Sequence, residues 1–285
     1  MQKWRNTMTF LSNRKTEIVY KLDDPDYRAD KALSTSELKK MRESPKAFWS
    51  YRNKIYPYTS TPAMEKGTLF HMYALEPDRF ANEVITCPEE YNNKRKKVSQ
   101  DWWKEQEALG KKVIKESDLQ AIRSMFGAYS ELSVVREVQL MKPQTEVSVF
   151  AKRFVKDIDA KCRVDLLCGD TVIDIKTTMK GGAKPSKFLW RQRDLGYDWQ
   201  QVHYSKILQK AGVEVKRWIF AVIETEPPYE SSEIILAEAD LAEARKEVDE
   251  AYKKLLSCMR VDSWPSHTPT KPVEISRFNS ADRAA

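Results

Sequence analysis

Three ionisable residues lie in a stretch that is otherwise strongly apolar: Asp165, Asp174 and Lys176. Between the two acids, Gly169-Asp170 separates two runs of strand-forming residues, which predicts a hairpin with a two-residue loop. In that register Asp165 lies directly opposite Asp174 on the neighbouring strand. Because side chains alternate between the two faces of a strand, Lys176 shares the face of Asp174. The sequence therefore brings two carboxylates and an ammonium group together in a core-forming hairpin.

Such a cluster is destabilising unless its charges are compensated, because like charges directly opposite each other repel. Hard divalent cations provide that compensation, and Mg²⁺ typically takes one or two carboxylates together with substrate phosphates. The alternative is that both acids lie at a strand edge and pair with lysine or arginine. The apolar neighbours Ile173 and Ile175, together with Lys176, favour a metal site.

The elements that position this hairpin can be predicted from caps and periodicity. Ser34 and Glu37 form a capping-box pattern, and Pro45 should split the helix that follows. Thr61-Pro62 should start a second helix that ends near Leu75. Further helices are expected over 117–137, from an Asp198 N-cap to about 211, and from an Asp240 N-cap to about 259.

A change to a period of two after residue 144 predicts a series of strands. They are expected over 145–153, 161–168, 171–176, 217–224 and 233–237. We expect a loop from 177 to 196, and no regular structure in the first 33 residues. The order of helices followed by strands and mixed elements predicts an α+β or mixed α/β domain.

The pair Asp165 and Asp174-Ile175-Lys176 resembles the D…D-x-K motif of the PD-(D/E)XK nuclease superfamily. With Thr177 the second element matches D-x-K-T. Upstream, the segment from Gly67 to Pro77 resembles the G-x-x-x-H-x-x-x-L-x-P helix of RecE-type exonucleases, the exonuclease VIII class, and more loosely that of RecB-type nuclease domains. The chain is therefore similar to RecE-type nucleases within the RecB-like branch.

Other segments extend this resemblance over residues 33 to 265. Thr145-Glu146-Val147-Ser148 resembles the first core strand, and Gln200-x-x-x-Tyr204 resembles the Q-x-x-x-Y element of RecB-like nucleases. Ser34 to Leu38 and Trp264-Pro265 resemble the ends of RecE-type domains. One departure is Val164, which stands where the family has a proline before its first aspartate.

The resemblance implies a restriction-endonuclease-like PD-(D/E)XK core of the α/β (α+β) class. A mixed central sheet would be flanked by helices and preceded by a helical N-terminal portion. We expect one nuclease domain over 1–265, with helices over about 34–137 and the catalytic β/α core over about 144–259. Residues 266–285 are expected to form a flexible tail.

The resemblance also implies a metal site formed by His71, Asp165, Asp174 and the backbone carbonyl of Ile175. Mg²⁺ is the expected ion, and Mn²⁺ may substitute. For His71 the alternative is a buried, hydrogen-bonded histidine with a structural role.

The expected catalytic residues are Asp165, Asp174, Lys176, Glu146, Gln200 and Tyr204. Lys176 would orient or deprotonate the attacking water, or stabilise developing negative charge. Glu146 would help to shape the metal site, although a glutamate at the start of a strand is usually exposed. Gln200 and Tyr204 would lie near the DNA backbone or the lysine, and the alternative is a polar helix edge over the core.

A basic and aromatic segment follows the catalytic strand. Basic side chains interleaved with aromatic ones suit phosphate contacts and stacking on unpaired bases. The alternative is a run of solvated charges. The expected DNA-binding residues are Lys180, Lys184, Lys187, Trp190, Arg191 and Arg193. The role of the second basic run, Lys94 to Lys97, stays open.

The function implied by the resemblance is a Mg²⁺-dependent exonuclease that degrades linear double-stranded DNA from its ends. Its setting would be phage or prophage recombination, with a single-strand annealing protein as partner and a ring-shaped homo-oligomer as the assembly. An endonuclease of the same superfamily is one alternative. A non-catalytic DNA-binding module is another, although such modules usually lose motif residues that are all present in this chain.

Composition excludes some classes without selecting one. The 285 residues carry 49 Lys+Arg and 42 Asp+Glu, a net charge of +7 that fits either an ordinary basic protein or one that binds a polyanion. Four cysteines without a C-x-x-C pair do not form a zinc-site pattern, and their spacing is unlike that of an iron–sulfur cluster. No apolar run approaches a membrane span and no signal peptide is evident, so we expect a cytoplasmic protein. The resemblance to RecE-type enzymes implies that the cell is a bacterial host.

Overall fold

The computed structural model describes residues 9–57 and 59–267. Its centre is a six-stranded sheet in the order β1-β4-β5-β6-β7-β8. These strands span Glu17–Val19 (β1), Gln144–Val155 (β4), Ile158–Cys168 (β5), Thr171–Thr178 (β6), Arg217–Glu224 (β7) and Ser231–Ile234 (β8). A separate pair, β2 (Val84–Thr86) and β3 (Lys112–Ile114), is parallel.

The large sheet is mixed, as expected. Strands β1, β4, β5 and β6 pair antiparallel with one another in turn, whereas β6 and β7 are parallel. Strand β8 returns antiparallel to β7. The parallel step requires a crossover, which the helices after β6 supply.

The predicted hairpin is confirmed between β5 and β6. Cys168 lies opposite Thr171 across the Gly169-Asp170 turn, and the same register continues to Leu166 opposite Ile173. Gly169 has φ +59, a conformation that glycine adopts without steric cost.

Helices cover both faces of the sheet. The helices are α1 (Asp24–Ala29), α2 (Thr35–Glu43), α3 (Pro45–Arg52), α4 (Pro62–Leu75), α5 (Pro77–Glu83), α6 (Lys97–Ala108), α7 (Glu116–Ser130), α8 (Ser133–Gln139), α9 (Pro185–Asp194), α10 (Tyr197–Lys210) and α11 (Glu238–Val261). Apolar residues of α2, α3, α10 and α11 pack in one core with the sheet. Those of α4, α5, α7 and α8 pack in a second core on its other side. The helices that precede the sheet therefore divide between both layers.

The starts of α2, α3 and α4 follow the predicted capping chemistry. The Ser34 hydroxyl and the Glu37 carboxylate form a reciprocal capping box at the start of α2. Ser44 caps α3 just before Pro45, so the proline divides two helices as expected. Thr61 caps α4, which ends at Leu75.

Two predictions for the part of the chain before the main strands were wrong. The first 33 residues include β1 and α1, because β1 adds to the edge of β4 and α1 has a proline in its first turn. The helix expected over 117–137 is divided between α7 and α8. The backbone of Leu132 is extended, with ψ 135, and burial of its side chain holds the break between α7 and α8 in place.

The segment expected as a loop over 177–196 contains α9. Pro185 occupies its first turn, and Phe188 and Gln192 are buried on one face, so tertiary packing stabilises a helix despite its basic composition. Helix α10 begins after Gly196 and not after Asp198, because Gly196 has φ +64 and ends the preceding turn.

The last two elements also differ from expectation. Strand β8 runs from Ser231 to Ile234, two residues earlier than predicted, because its register with β7 pairs Ser231 with Ile223. Helix α11 has Ala237 as its N-cap, so Asp240 lies within the first turn and complements the helix dipole there.

Helix α6 and a 3-10 helix at Glu89–Tyr91 lie between β2 and β3. Tyr91 stacks on Trp102 with ring centroids 5.1 Å apart, and the Lys94 ammonium group lies 3.3 Å from the ring centroid of Trp103. One residue of the Lys94 to Lys97 run therefore contacts an aromatic side chain of its own chain.

None of the helices in the described ranges is long and apolar enough to cross a membrane. The four cysteines are free thiols. Of the expected tail, residues 268–285 lie outside the described residues.

Candidate active site

Three acids occupy neighbouring strands at one level of the sheet. Glu146 is on β4, Asp165 on β5 and Asp174 on β6. The pairs on either side of Glu146 continue one register, so Glu146 faces Asp165 across the β4–β5 ladder. Backbone pairing between β5 and β6 ends at Leu166, and the Asp165 carboxylate then accepts a hydrogen bond from the Ile175 amide at 2.7 Å. The acidic side chain thus bridges the strands where the ladder stops.

One half of the site, the acid half, consists of His71, Glu146 and Asp165. One potential ligand atom from each of these residues lies within 4.8 Å of the others, a grouping that could hold a metal ion. The His71 Nδ1 atom lies 3.8 Å from Asp165 Oδ1. The structure therefore brings together two of the predicted metal ligands and Glu146.

Helix α4 can bring His71 this close because it packs tightly on β6. A Cβ atom added to Gly67, one turn before His71, would lie 2.8 Å from the Thr177 Oγ1 atom. Such an approach is available only to glycine without a shift of one element. Gly67 therefore fixes the distance between His71 and the catalytic strand.

Burial sets the protonation of the acid half. It raises the pKa of Glu146 to about 8, and the neighbouring charge of Asp165 acts in the same direction. Burial also raises the pKa of Asp165. For His71, burial and the charge of Lys176 lower the pKa to about 4, so the imidazole is neutral at neutral pH and free to ligate a metal. A bound cation would relieve the repulsion between the two carboxylates.

Glu146 has an unusual backbone conformation. Its φ is +49, in the left-handed region that residues with a Cβ rarely adopt, at a point of β4 where the register with β5 is continuous on either side. This conformation costs about 1–2 kcal/mol. Strain of this kind is concentrated at functional sites, where the surrounding structure holds it in place.

The other half of the site, the lysine half, consists of Asp174, Lys176, Gln200 and Lys39. Asp174 is only 2% exposed, and its Oδ2 atom forms an ion pair with the Lys176 ammonium group. Gln200 donates from Nε2 to Asp174 Oδ1 at 2.7 Å. Lys39 and Lys176 both donate to Gln200 Oε1, at 3.2 Å and 3.4 Å.

Within the lysine half, the charges of Asp174 and Lys176 stabilise each other. Burial by itself would lower the pKa of Lys176, but the carboxylates of Asp174 and Asp165 outweigh it and the pKa is raised. The ammonium group also lies 4.7 Å from the centre of the Tyr197 ring. Lys176 is therefore held as a cation between the acids and an aromatic face.

The structure also locates the remaining predicted site residues. The Ile175 backbone acts to raise the pKa of His71, an effect smaller than the opposing effect of burial. Tyr204 packs edge-to-face on Trp218, with ring centroids 6.0 Å apart, and lines the groove described below. Asp174 is not part of the acid half, so its role as a metal ligand stays a prediction.

The site opens into a groove of about 1970 Å³. His71, Glu146, Asp165 and Lys176 line its interior. Helices α1 to α4 form much of the wall, which includes basic residues with no ion-pair partner among the described residues. These are Lys31, Lys46 and Lys54.

The predicted DNA-binding residues lie on α9 and the turn before it. Lys180, Lys187, Trp190 and Arg191 line a second, smaller depression that shares no lining residue with the main groove. Trp190 is 78% exposed, so its ring is free for an external contact. Lys184 is the N-cap residue of α9.

Arg193 differs from the other five. Its guanidinium group lies 3.1 Å from Glu247 and 3.6 Å from Glu243, both on α11. Its charge is thus partly neutralised within the chain, a contact between distant segments that the sequence pattern does not reveal.

Lys39 and Tyr197 are site residues that sequence reasoning missed. Lys39 lies on α2, about 135 residues before the catalytic strand, in a helix that reads as a solvated amphipathic element. Tyr197 follows the glycine that starts α10. The only available signal was the capping box, which marked α2 as a well-defined helix.

Comparison with known proteins supports the same fold. The family model described as "PDDEXK-like domain of unknown function (DUF3799)" matches residues 34–271. A crystal structure named "Putative exonuclease" from Eubacterium rectale is similar over 92% of this chain and 100% of that chain, with 14% identity and a TM-score of 0.59.

Two other solved structures are more distant. SSO0001 is 15% identical over 71% of this chain and 98% of its own, with a TM-score of 0.28. LHK-Exo in complex with dAMP is 17% identical over 59% of this chain and 84% of its own, with a TM-score of 0.24. A search of curated protein sequences gave no match.

Because the family model spans most of the chain and the mixed sheet has helices on both faces, this protein belongs to the PDDEXK-like family DUF3799.

Proposed function

We propose that this protein is a divalent-metal-dependent deoxyribonuclease, and specifically an exonuclease that degrades linear double-stranded DNA. The observation that carries the proposal is that two kinds of chemical group lie next to each other. A group of potential metal ligands, the acid half, adjoins a buried lysine–aspartate pair inside one groove. The name of the E. rectale structure points to the same activity.

The donor set fits a divalent cation. Two carboxylates from Glu146 and Asp165 supply oxygen ligands, which Mg²⁺ and Mn²⁺ prefer, and His71 supplies a neutral nitrogen. Burial, and then the charge of Asp165, raise the pKa of Glu146, and a bound cation would favour its charged form against both. We therefore propose Mg²⁺ as the cofactor, with Mn²⁺ as a substitute that accepts the imidazole readily.

When bound, the metal would supply Lewis acidity and a more acidic water. The protein's own residues would do the rest. The Lys176 ammonium group would hold the attacking water or stabilise negative charge on the phosphate. Gln200 would keep Asp174 oriented, and Tyr197 would limit the movement of Lys176.

DNA would enter the main groove along its basic wall and contact α9 through Lys180, Lys184, Lys187, Trp190 and Arg191. Exposed basic and aromatic side chains suit a backbone contact and stacking on an unpaired base. A ring-shaped homo-oligomer, a single-strand annealing partner and a role in phage-type recombination in the bacterial cytoplasm are proposed from the resemblance to RecE-type enzymes.

End-labelled linear duplex and covalently closed circular DNA, incubated with Mg²⁺, Mn²⁺ or EDTA, test the proposal. We expect metal-dependent digestion of the linear substrate only, and none with Lys176→Met. Cleavage of the closed circle would identify an endonuclease. Absence of cleavage with either metal, together with DNA binding, would identify a non-catalytic DNA-binding module.

A further inference from the structure

Lys39 reaches the site from a separate layer of the fold. It lies on α2, whereas the D-x-K motif lies on β6, and its Nζ atom donates to Gln200 Oε1 at 3.2 Å. Lys176 donates to the same oxygen at 3.4 Å. Two cationic groups thus converge on one amide carbonyl.

This convergence fixes which way the Gln200 amide faces. With its oxygen toward the two lysines, its NH₂ group faces the Asp174 carboxylate and donates at 2.7 Å. A rotated amide would direct NH₂ toward two ammonium groups and its oxygen toward a carboxylate, which loses every hydrogen bond. The orientation of Gln200 therefore depends on both lysines.

The space for Lys39 is built into the start of α10. A Cβ atom added to Gly196 would lie 3.2 Å from both Cγ and Cδ of Lys39, so the lysine stem lies directly against the glycine. Its ammonium group lies 5.4 Å from the centre of the Tyr197 ring, the same ring that faces Lys176.

Lys39 does not fit the role of an ordinary surface ion pair. No carboxylate in the described residues lies within salt-bridge distance of it, whereas the adjacent Lys40 pairs with Glu43. Burial lowers the pKa of Lys39 to about 7, and the charge of Lys176 acts in the same direction. Placing a second lysine here is electrostatically unfavourable, so its contact with Gln200 requires an explanation.

We propose that Lys39 is a positioning residue of the nuclease centre, which holds the Gln200 amide and, through it, the carboxylate of Asp174. The proposal rests on the nuclease function proposed above. It assigns helix α2 a part in organising the chemistry as well as in covering the sheet.

A double-mutant cycle tests this role. We expect Lys39→Met to lower kcat on linear duplex roughly 10- to 100-fold, because small displacements of reacting groups cost rates of that order. KM should stay nearly unchanged. Gln200→Leu should have a similar effect, and the double variant should be no slower than the slower single variant. The control Lys253→Met, at an exposed lysine on α11 that lines neither the main groove nor the second depression, should retain wild-type kcat.

Additive losses in the cycle, or an effect on KM alone, would overturn the proposal, since Lys39 would then act independently of Gln200 or on DNA binding. Wild-type protein that cleaves no DNA with Mg²⁺ or Mn²⁺ would instead overturn the proposed function. A measurement that needs no activity separates these two failures.

That measurement is the NMR signal of the Gln200 side-chain NH₂ group, identified by its loss in Gln200→Leu. Lys39→Met should shift both proton signals and speed their exchange with water, and Lys253→Met should not. If Lys39→Met fails to fold, Lys39→Gln takes its place, because it keeps a polar side chain but removes the charge, and it should shift the same signals. Unchanged Gln200 signals would show that Lys39 does not position the amide.

Discussion

The acid half and the lysine half of the candidate active site carry buried charge in opposite ways. In the acid half, Glu146 and Asp165 face each other across neighbouring strands. Burial raises the pKa of both carboxyl groups, and the charge of Asp165 raises that of Glu146 further. In the lysine half, Asp174 is enclosed by an ammonium group and an amide. One half therefore needs a cation from outside, whereas the other supplies its own.

This difference divides the D…D-x-K motif between two tasks. Asp165 belongs to the half that could bind metal, and Asp174 with Lys176 to the half that is already neutralised. The two aspartates look equivalent in the sequence. Their neighbours on other elements, His71 on α4 and Gln200 on α10, make them different.

The largest expected effect comes from breaking the lysine half. Lys176→Met should lower kcat by about 10²- to 10⁴-fold, the range for loss of a general acid–base group. It should also lower the melting temperature, because Asp174 is left buried without its cation. Linear-duplex digestion and thermal unfolding measure the two effects.

The double variant Lys176→Met with Asp174→Asn separates them. Removing both charges should restore the melting temperature while activity stays lost. If the double variant has the same low melting temperature as Lys176→Met, the unpaired charge of Asp174 is not the source of the instability. Asp174 and Lys176 then do not stabilise the fold by neutralising each other.

An intermediate effect is expected from moving His71 away from the two carboxylates of the acid half. Gly67→Ala places a methyl group 2.8 Å from Thr177 Oγ1, so α4 and His71 must shift away from β6. We expect a loss of about 1–3 kcal/mol in unfolding free energy, as for overpacking. Calorimetry should also show weaker Mn²⁺ binding.

Two variants serve as controls for this substitution. Gly127→Ala, in the interior of α7, meets no atom within 4 Å and should stabilise the protein slightly. Adding Thr177→Ala to Gly67→Ala removes the clashing hydroxyl and should recover most of the lost stability. Without such recovery, the Gly67–Thr177 approach does not set the position of α4.

The last expected effect, which is the smallest when it is counted per pH unit, is a pH dependence of the stability of the metal-free protein. The pKa of Glu146 is raised from 4.5 to about 8 by folding, so between those values the unfolded chain has released a proton that the folded chain retains. Stability should therefore fall as pH rises through this window, by at most about 1.4 kcal/mol per pH unit.

Urea unfolding in EDTA at several pH values measures this, with Glu146→Gln as the reference that lacks the titrating group. His71 and Lys39 titrate in both proteins, so the difference between wild type and variant reports Glu146 together with its interaction with Asp165. The wild type should lose stability relative to the variant up to about pH 8 and change little above it. A constant difference would mean that the Glu146 carboxylate is not buried against Asp165.

The sequence was sufficient wherever local chemistry decides the structure. The capping box at Ser34, the proline after Ser44 and the Gly169-Asp170 turn each determine a boundary or a register through contacts within a few residues. The same local register predicted that Asp165 and Asp174 would meet, and with Lys176 it led to the candidate site.

Features that depend on distant segments could not be predicted. Helix α9 forms because Phe188 is buried against the core, although its composition resembles a solvated loop. Lys39 approaches Gln200 across 161 positions of sequence, and acids on α11 partly neutralise Arg193. The left-handed backbone of Glu146 likewise has no local signal, since glycine would be the usual residue there.

The division of the helices between two layers defines the smallest fragment that could be active. A fragment over 144–267 would retain the hairpin and Gln200 but would lack His71 from one layer and Lys39 from the other. Truncation at the apparent boundary between helical and β/α parts would thus preserve the recognisable motif and remove a group from each half of the site. Designs that shorten, split or permute this chain should treat 34–83 as inseparable from the sheet.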